Sequence, residues 1–329
     1  MQHTRLGRTG LSVSRLCLGT MTFGVQCDED TSFAILDRAF DAGVTFLDTA
    51  DVYPVGGDLT TVGRTEEILG RWLRNHRDDV IVATKCFGPM SARPWDWGSS
   101  RKHVMDAVEG SLRRLGTDYI DLYQLHGPDP NTPIDETLHA LDDLVRAGKV
   151  RYVGCSNFLA YQIALAVGRS DALGLVRFES AQPRYNLLFR QIERELLPLC
   201  AETGIGVIPY NPIAGGMLSG KHTRGEPTEG TRFTLGSASR TYQDRYWHEG
   251  MFETVDALQG IARDAGLSLT TLAVAWVLAH PAVSSPIIGA SRPEQLDDTI
   301  AAAEAVLDAD VKARLDELTA QYRMGDAAR

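Results

Sequence analysis

The chain has only five cysteines among 329 residues, Cys17, Cys27, Cys86, Cys155 and Cys200, and no Cys-x-x-Cys pair. That scatter speaks against a disulfide framework and a zinc cluster, and it implies buried, reduced thiols. Long hydrophobic runs are missing as well: none approaches the ~20 residues of a membrane span, so no membrane partner is expected. Positive charge is scarce, the net charge being −10, which disfavours nucleic acid as a partner. No G-x-G-x-x-G occurs, so a Rossmann dinucleotide site is not supported. The opening Met1-Gln2-His3-Thr4-Arg5 lacks a basic region followed by an apolar core. No secretory signal is therefore expected, and a cytoplasmic location follows by default.

What is present is an alternation. Eight short apolar runs, at 15–18, 45–47, 80–83, 119–125, 150–154, 175–179, 206–209 and 284–288, are separated mostly by stretches with helical spacing. Examples are Val104, Val108, Leu112 and Leu115, or Ile134, Leu138, Leu141 and Val145. Eight strands alternating with helices predict a closed parallel α/β barrel, and the length suits one such domain of ~250 residues plus insertions, here spanning 1–329. Gly43, Gly116, Gly148 and Gly204 fall where left-handed helix caps are wanted; Ser99, Ser100 and Thr132-Pro133 fall where helices should start. The piece before Arg15 reads as a hairpin closing the barrel floor, and Val311, Leu315 and Leu318 as a helix laid across the outside. Residues 222–250, with Gly225, Pro227, Gly230 and Gly236, form the longest irregular stretch and read as a lid that orders over a bound ligand, the plain alternative being a surface insertion already packed without one. A shorter one, 87–98, carries Trp95 and Trp97.

Four proton-handling side chains stand at the carboxyl end of these runs or just beyond: Asp48, Tyr53, Lys85 and His126. In parallel barrels that end carries the active site. A phenol of reference pKa ~10 can give a proton to a carbonyl oxygen as hydride reaches the carbon. A neighbouring ammonium lowers the phenol's pKa, and a carboxylate can hold that ammonium. His126 would orient the carbonyl oxygen or donate to it. Taken singly, each residue also has a structural reading: a loop-capping Asp, a surface Tyr, a solvated Lys, a core-edge His. A metal site would compete for Asp48 and His126, but no second His lies at ligand spacing, and no metal is expected. For an anion, 208–221 offers Tyr210, glycines and Lys221, while 289–295 sets small residues at a helix N-terminus; a turn and a helix cap are the plain alternatives.

In that order and context, Asp48, Tyr53, Lys85 and His126 resemble the catalytic tetrad of the aldo-keto reductases. The resemblance covers nearly the whole chain, including Leu6-Gly7-Arg8-Thr9-Gly10-Leu11-Ser12-Val13-Ser14, Gly154-Cys155-Ser156-Asn157-Phe158 and Pro286-Ile287-Ile288-Gly289-Ala290-Ser291. It implies a (β/α)8 TIM barrel with an N-terminal hairpin and an extra C-terminal helix, NADP(H) as cofactor, and a carbonyl or alcohol substrate. By the same resemblance Tyr210 stacks on the nicotinamide, while Ser156, Asn157 and Gln182 hydrogen-bond its carboxamide. Gly19, Thr20, Met21, Gln26 and Asp48 approach the cofactor from the early strands, and Asn211, Pro212, Ile213 and Gly215 from the loop after Tyr210. Lys221, Arg232, Gly289, Ser291, Gln295 and Asp298 match the diphosphate and adenosine side in the branch that includes potassium-channel β subunits. The chain departs from that branch at Met21, Asn211 and Thr299.

Three functions fit these residues. The first is an NADPH-dependent reductase of an aldehyde, ketone or keto-sugar with Tyr53 as general acid. The second is a cofactor-binding, redox-sensing partner protein with little turnover. The third, a lyase or isomerase using Lys85 as a Schiff-base amine, is disfavoured by Asp48 and Tyr53 beside that lysine and by the cofactor-like loops.

Overall fold

The computed structural model describes residues 1–324. The chain opens with a hairpin of β1 (His3–Arg5) and β2 (Ser12–Ser14), paired antiparallel with His3 opposite Ser14. Gly7, at its turn, has φ +56°, and a Cβ there would fall 2.4 Å from the Gly204 carbonyl, so glycine is required twice over. Leu6 and Val13 are fully buried among Cys17, Phe46, Ala83, Leu122, Ile208 and Ile287, residues of the strands above. The hairpin thus closes the barrel floor, as expected.

Eight parallel strands follow: β3 (Cys17–Gly19), β4 (Phe46–Asp48), β5 (Ile81–Cys86), β6 (Ile120–Leu125), β7 (Val150–Ser156), β8 (Ser180–Gln182), β9 (Gly206–Val207) and β10 (Ile287–Ile288). Their order is β10-β3-β4-β5-β6-β7-β8-β9, each beside its neighbours in sequence apart from the β10-β3 pair. Parallel bridges Val207 to Val283 and Tyr210 to Ile287 bring the two edges together, so the sheet curls into a TIM-barrel-like α/β fold. The sixth strand differs from expectation: it is Ser180–Gln182, not the apolar run 175–179. Phe178 of that run and Ala181 pack outward with Phe158, whereas Ser180 and Gln182 face the interior at the functional end. A strand whose buried face is polar reads as a loop when apolar residues are the signal.

The helices are α1 (Glu29–Asp41), α2 (Arg64–Leu73), α3 (Arg101–Leu115), α4 (Ile134–Arg146), α5 (Ala160–Leu173), α6 (Leu196–Thr203), α7 (Ser239–Tyr246), α8 (Glu249–Asp264), α9 (Leu269–Leu278), α10 (Leu296–Ala301) and α11 (Ala309–Leu318). Ser100 caps α3 by accepting from the His103 amide, and Gly116 and Gly204 close α3 and α6 in the left-handed conformation. Thr132 does not cap α4; its hydroxyl donates to Asp129, and Pro133 occupies the cap position. The terminal helix α11 lies against α8, as expected. Among the described residues no single helix is long and apolar enough to cross a membrane.

The stretch 222–250 is less irregular than its sequence suggests. It holds 3-10 turns at Arg232–Thr234 and Gly236–Ala238 and the whole of α7, with Phe233, Tyr242 and Tyr246 buried. The sequence of α7, SRTYQDRY, is polar except for two tyrosines four apart, too short a stripe to register as a helix.

Candidate active site

The strands deliver their carboxyl ends to one rim. There Asp48 closes β4, Lys85 lies one residue before the end of β5, and His126 follows β6. The Lys85 ammonium, fully buried, donates to Asp48 Oδ2 at 2.5 Å and to the Thr49 carbonyl at 2.7 Å. A buried cation needs such partners, and this one has a carboxylate and a peptide oxygen. The other Asp48 oxygen accepts from Gln182 at 2.8 Å and from Gln124 at 3.2 Å, so the carboxylate is fixed on both sides. Tyr53, half-buried, sets its ring 5.0 Å from the Lys85 ammonium and edge-on to the half-buried His126 ring at 5.6 Å. All four expected residues therefore meet.

Electrostatics sort their protonation. Burial pushes the Tyr53 phenol up, with Lys85 pulling against it, so the hydroxyl keeps its proton at neutral pH. Burial alone would lower Lys85, but the attraction of Asp48, then of Tyr53, outweighs it and holds the ammonium above the usual lysine value. His126 is lowered to about 3, first by burial and then by the Lys85 charge, which makes its imidazole neutral. A protonated phenol beside a fixed ammonium and a neutral imidazole can protonate an oxygen that is becoming negative.

From His126 a chain of hydrogen bonds runs across the rim. Asn157, in the left-handed region at φ +62°, donates to the His126 carbonyl at 2.9 Å and to Ser156 Oγ at 3.1 Å. Ser156 donates to the Gln182 carbonyl, and the Tyr210 hydroxyl donates to Asn157 Oδ1 at 2.9 Å. Thr20 donates to the Asp48 carbonyl.

Beyond Tyr210 opens a cleft of about 460 Å³. Its walls include Gly19, Met21, Gln26, Tyr210, Asn211, Pro212, Ile213, Gly215, Lys221, Arg232, Gly289, Ser291, Gln295 and Asp298. Thr20, Asp48, Ser156, Asn157 and Gln182 are not on these walls; they belong to the rim. The backbone of Asn211 (φ +58°) and Ala214 (φ +52°) is left-handed without glycine, strain of the kind found where a loop is shaped for a ligand. Sequence reasoning missed Gln124, a lone amide inside an apolar strand, whose signal is its spacing of two from His126, on the same strand face. It also missed Thr22, Ser219, His222, Thr231 and Thr270, all on the cleft walls; Thr270 comes from α9 and carries no sequence signal. A second cavity, of about 570 Å³, opens at the hairpin end and is lined by Arg5, Arg15, His280 and Cys200, far from this chemistry.

The cleft suits a phosphate-bearing dinucleotide by its donor set. Lys221, Arg232 and Arg292 gather on its walls, and Arg232 Nη1 is buried there with no hydrogen-bond partner. The aromatic residue Tyr210 stands where the cleft meets the rim.

The sequence pattern of the Aldo/keto reductase family matches residues 15–320. The chain is 40% identical to the uncharacterized oxidoreductase YrpG of Bacillus subtilis, over 97% of this chain and 96% of that protein. It is 38% identical to a probable voltage-gated potassium channel subunit beta of Arabidopsis thaliana, over 93% of this chain and 92% of that one. It is 32% identical to the versiconal hemiacetal acetate reductase of Aspergillus parasiticus, over 93% and 94%. The chain belongs to the aldo/keto reductase family and is an NAD(P)H-dependent reductase.

Proposed function

We propose that the protein is an NADPH-dependent reductase of small aldehydes, ketones or keto-sugars, acting as one barrel domain with Tyr53 as general acid. The observation that carries this reading is the fully buried Lys85, pinned by Asp48 and Thr49 against Tyr53 on a rim that His126, Asn157 and Tyr210 connect to a cation-bearing cleft. Bound in that cleft, a reduced nicotinamide supplies the hydride. Tyr210 would offer its ring face to it, and Ser156, Asn157 and Gln182, already tied to one another and to His126 and Asp48, would hold its carboxamide. Lys221, Arg232, Ser291 and Gln295 would take the diphosphate and adenosine side. Tyr53 then gives its proton to the substrate oxygen. Lys85 stabilises the phenolate left behind, and Asp48 keeps that ammonium from rotating away. Neutral His126 donates an N–H to the same oxygen and orients it. The five cysteines are buried and unpaired, which supports a cytoplasmic setting.

The test is Tyr53→Phe. It is expected to lower reduction by ~10²-fold to 10⁴-fold in a chemistry-limited assay, the usual worth of a general acid, while NADPH affinity measured by nicotinamide fluorescence stays near wild type. A variant retaining most of the wild-type turnover would sink the role.

A further inference from the structure

His222 lies outside every role argued so far. It is 9% exposed, with its ring edge-on to Phe233 at 5.0 Å and to Trp247 at 5.4 Å. That aromatic box leaves Nε2 buried on the wall of the 460 Å³ cleft with no hydrogen-bond partner. Gly216 lies against this nitrogen, with a built Cβ 3.5 Å away, so no side chain stands between the two. A buried polar atom with no partner is a standing penalty, which a ligand oxygen would remove.

The charge that acts on this imidazole is positive. Burial, then Lys221, lower the imidazole to about 4. Arg232, on the 3-10 turn that carries Phe233, adds a second cation with its own unpartnered nitrogen. On α8, Glu249 and Asp256 are taken up by Arg224, while Asp244 and Arg245 belong to α7, and the carboxylates Glu229 and Asp298 stand elsewhere on the cleft wall. A cationic pocket holding a neutral, partnerless imidazole is suited to gain a proton together with an anion.

We propose that His222 is a proton-linked phosphate ligand: on taking up a proton from solvent, its Nε2–H donates to a phosphate oxygen of the bound dinucleotide, beside Arg232. The proposal rests on the cofactor reading above. Because the complex holds a proton that the free protein lacks, affinity is greatest at low pH and is lost as pH rises through the imidazole pKa of the complex.

Calorimetric titration with NADPH, and separately with NADH, at about pH 6 in two buffers of different ionisation enthalpy reads the proton directly. Wild type is expected to take up part of a proton per dinucleotide and to bind roughly tenfold more weakly at pH 8 than at pH 5.5, the scale of one charge-assisted bond. His222→Gln, which keeps a donor but cannot titrate, should bind as wild type does at pH 8 and show a flattened pH slope. Linkage with both dinucleotides assigns the diphosphate; linkage with NADPH alone assigns the phosphate monoester, whose own ionisation the Gln variant subtracts. Equal proton uptake and slope in wild type and a folded Gln variant would overturn the assignment of His222 alone. No binding of either dinucleotide to wild type would overturn the cofactor reading and this proposal with it. If the Gln variant fails to fold, the His222 ring resonance of wild type decides: its pKa must rise when the dinucleotide is added, and an unmoved pKa overturns the proposal.

Discussion

At the scale of single residues, the site is a set of protonation states fixed by burial. His126 is lowered to about 3 by burial and then by Lys85, so its imidazole is neutral near pH 7, and the role proposed for it is orientation and an N–H rather than charge. With cofactor saturating, kcat/KM for reduction is expected to show no His126 ionisation between about pH 5 and 8, and to fall only on the alkaline side as Tyr53 loses its proton. His126→Asn should lower the rate without changing that profile. An inflection near pH 6.5 in wild type that vanishes in the variant would mean an imidazolium is at work. Asp48, Tyr53, Lys85 and His126 were legible because each interrupts or follows an apolar run with a polar group, a contrast one sequence displays. Gln124 and His222 were not legible. The first gains meaning only from an Asp48 oxygen brought to it from another strand, and the second only from Phe233 and Trp247, eleven and twenty-five residues further on.

At the scale of elements, the barrel was read from alternation, and it failed where a strand or helix hides its buried face. The strand Ser180–Gln182 buries polar side chains, and α7 buries only two tyrosines, so neither shows the apolar period on which such reading depends. The consequence for 222–250 is specific. Phe233, Tyr242 and Tyr246 already anchor α7, while 226–230 is mostly exposed at the tip, where Gly230 accepts from Gln26 at 2.9 Å across the cleft. The element that must yield to a ligand is therefore the tip rather than the whole stretch. In limited trypsin digestion, saturating NADPH should slow cutting at Arg224 and Arg232 and leave cutting at Arg240, on α7, unchanged. Identical rates at Arg224 and Arg232 with and without bound cofactor would show a strap that does not respond; protection of Arg240 as well would show that α7 orders with the tip.

At the scale of the molecule, charge is distributed against its own total. The chain carries −10 overall, yet Lys221, Arg232 and Arg292 converge on one cleft, which meets the catalytic rim at Tyr210. A dianionic phosphate monoester would be drawn toward such a cluster and repelled by most of the remaining surface, so a cofactor bearing one would be both recruited and oriented by the protein's field. The hairpin seals the opposite end with Leu6 and Val13, which leaves the strand carboxyl ends as the face where this chemistry can occur. NADPH should consequently bind more tightly than NADH, by roughly tenfold or more if one of these cations pairs with the monoester. The difference should shrink as salt rises from about 0.05 to 0.5 M, because Lys221 and Arg292 are exposed and screened. Lys221→Met and Arg292→Met would narrow the gap by weakening NADPH while sparing NADH. If instead both variants weaken the two cofactors equally, the cations serve the shared diphosphate and the preference must come from Arg232, whose half-buried guanidinium salt reaches least; if neither variant weakens either cofactor, Lys221 and Arg292 play no part in binding, and an Arg232→Met variant that leaves the gap unchanged as well would remove the support for an NADPH preference.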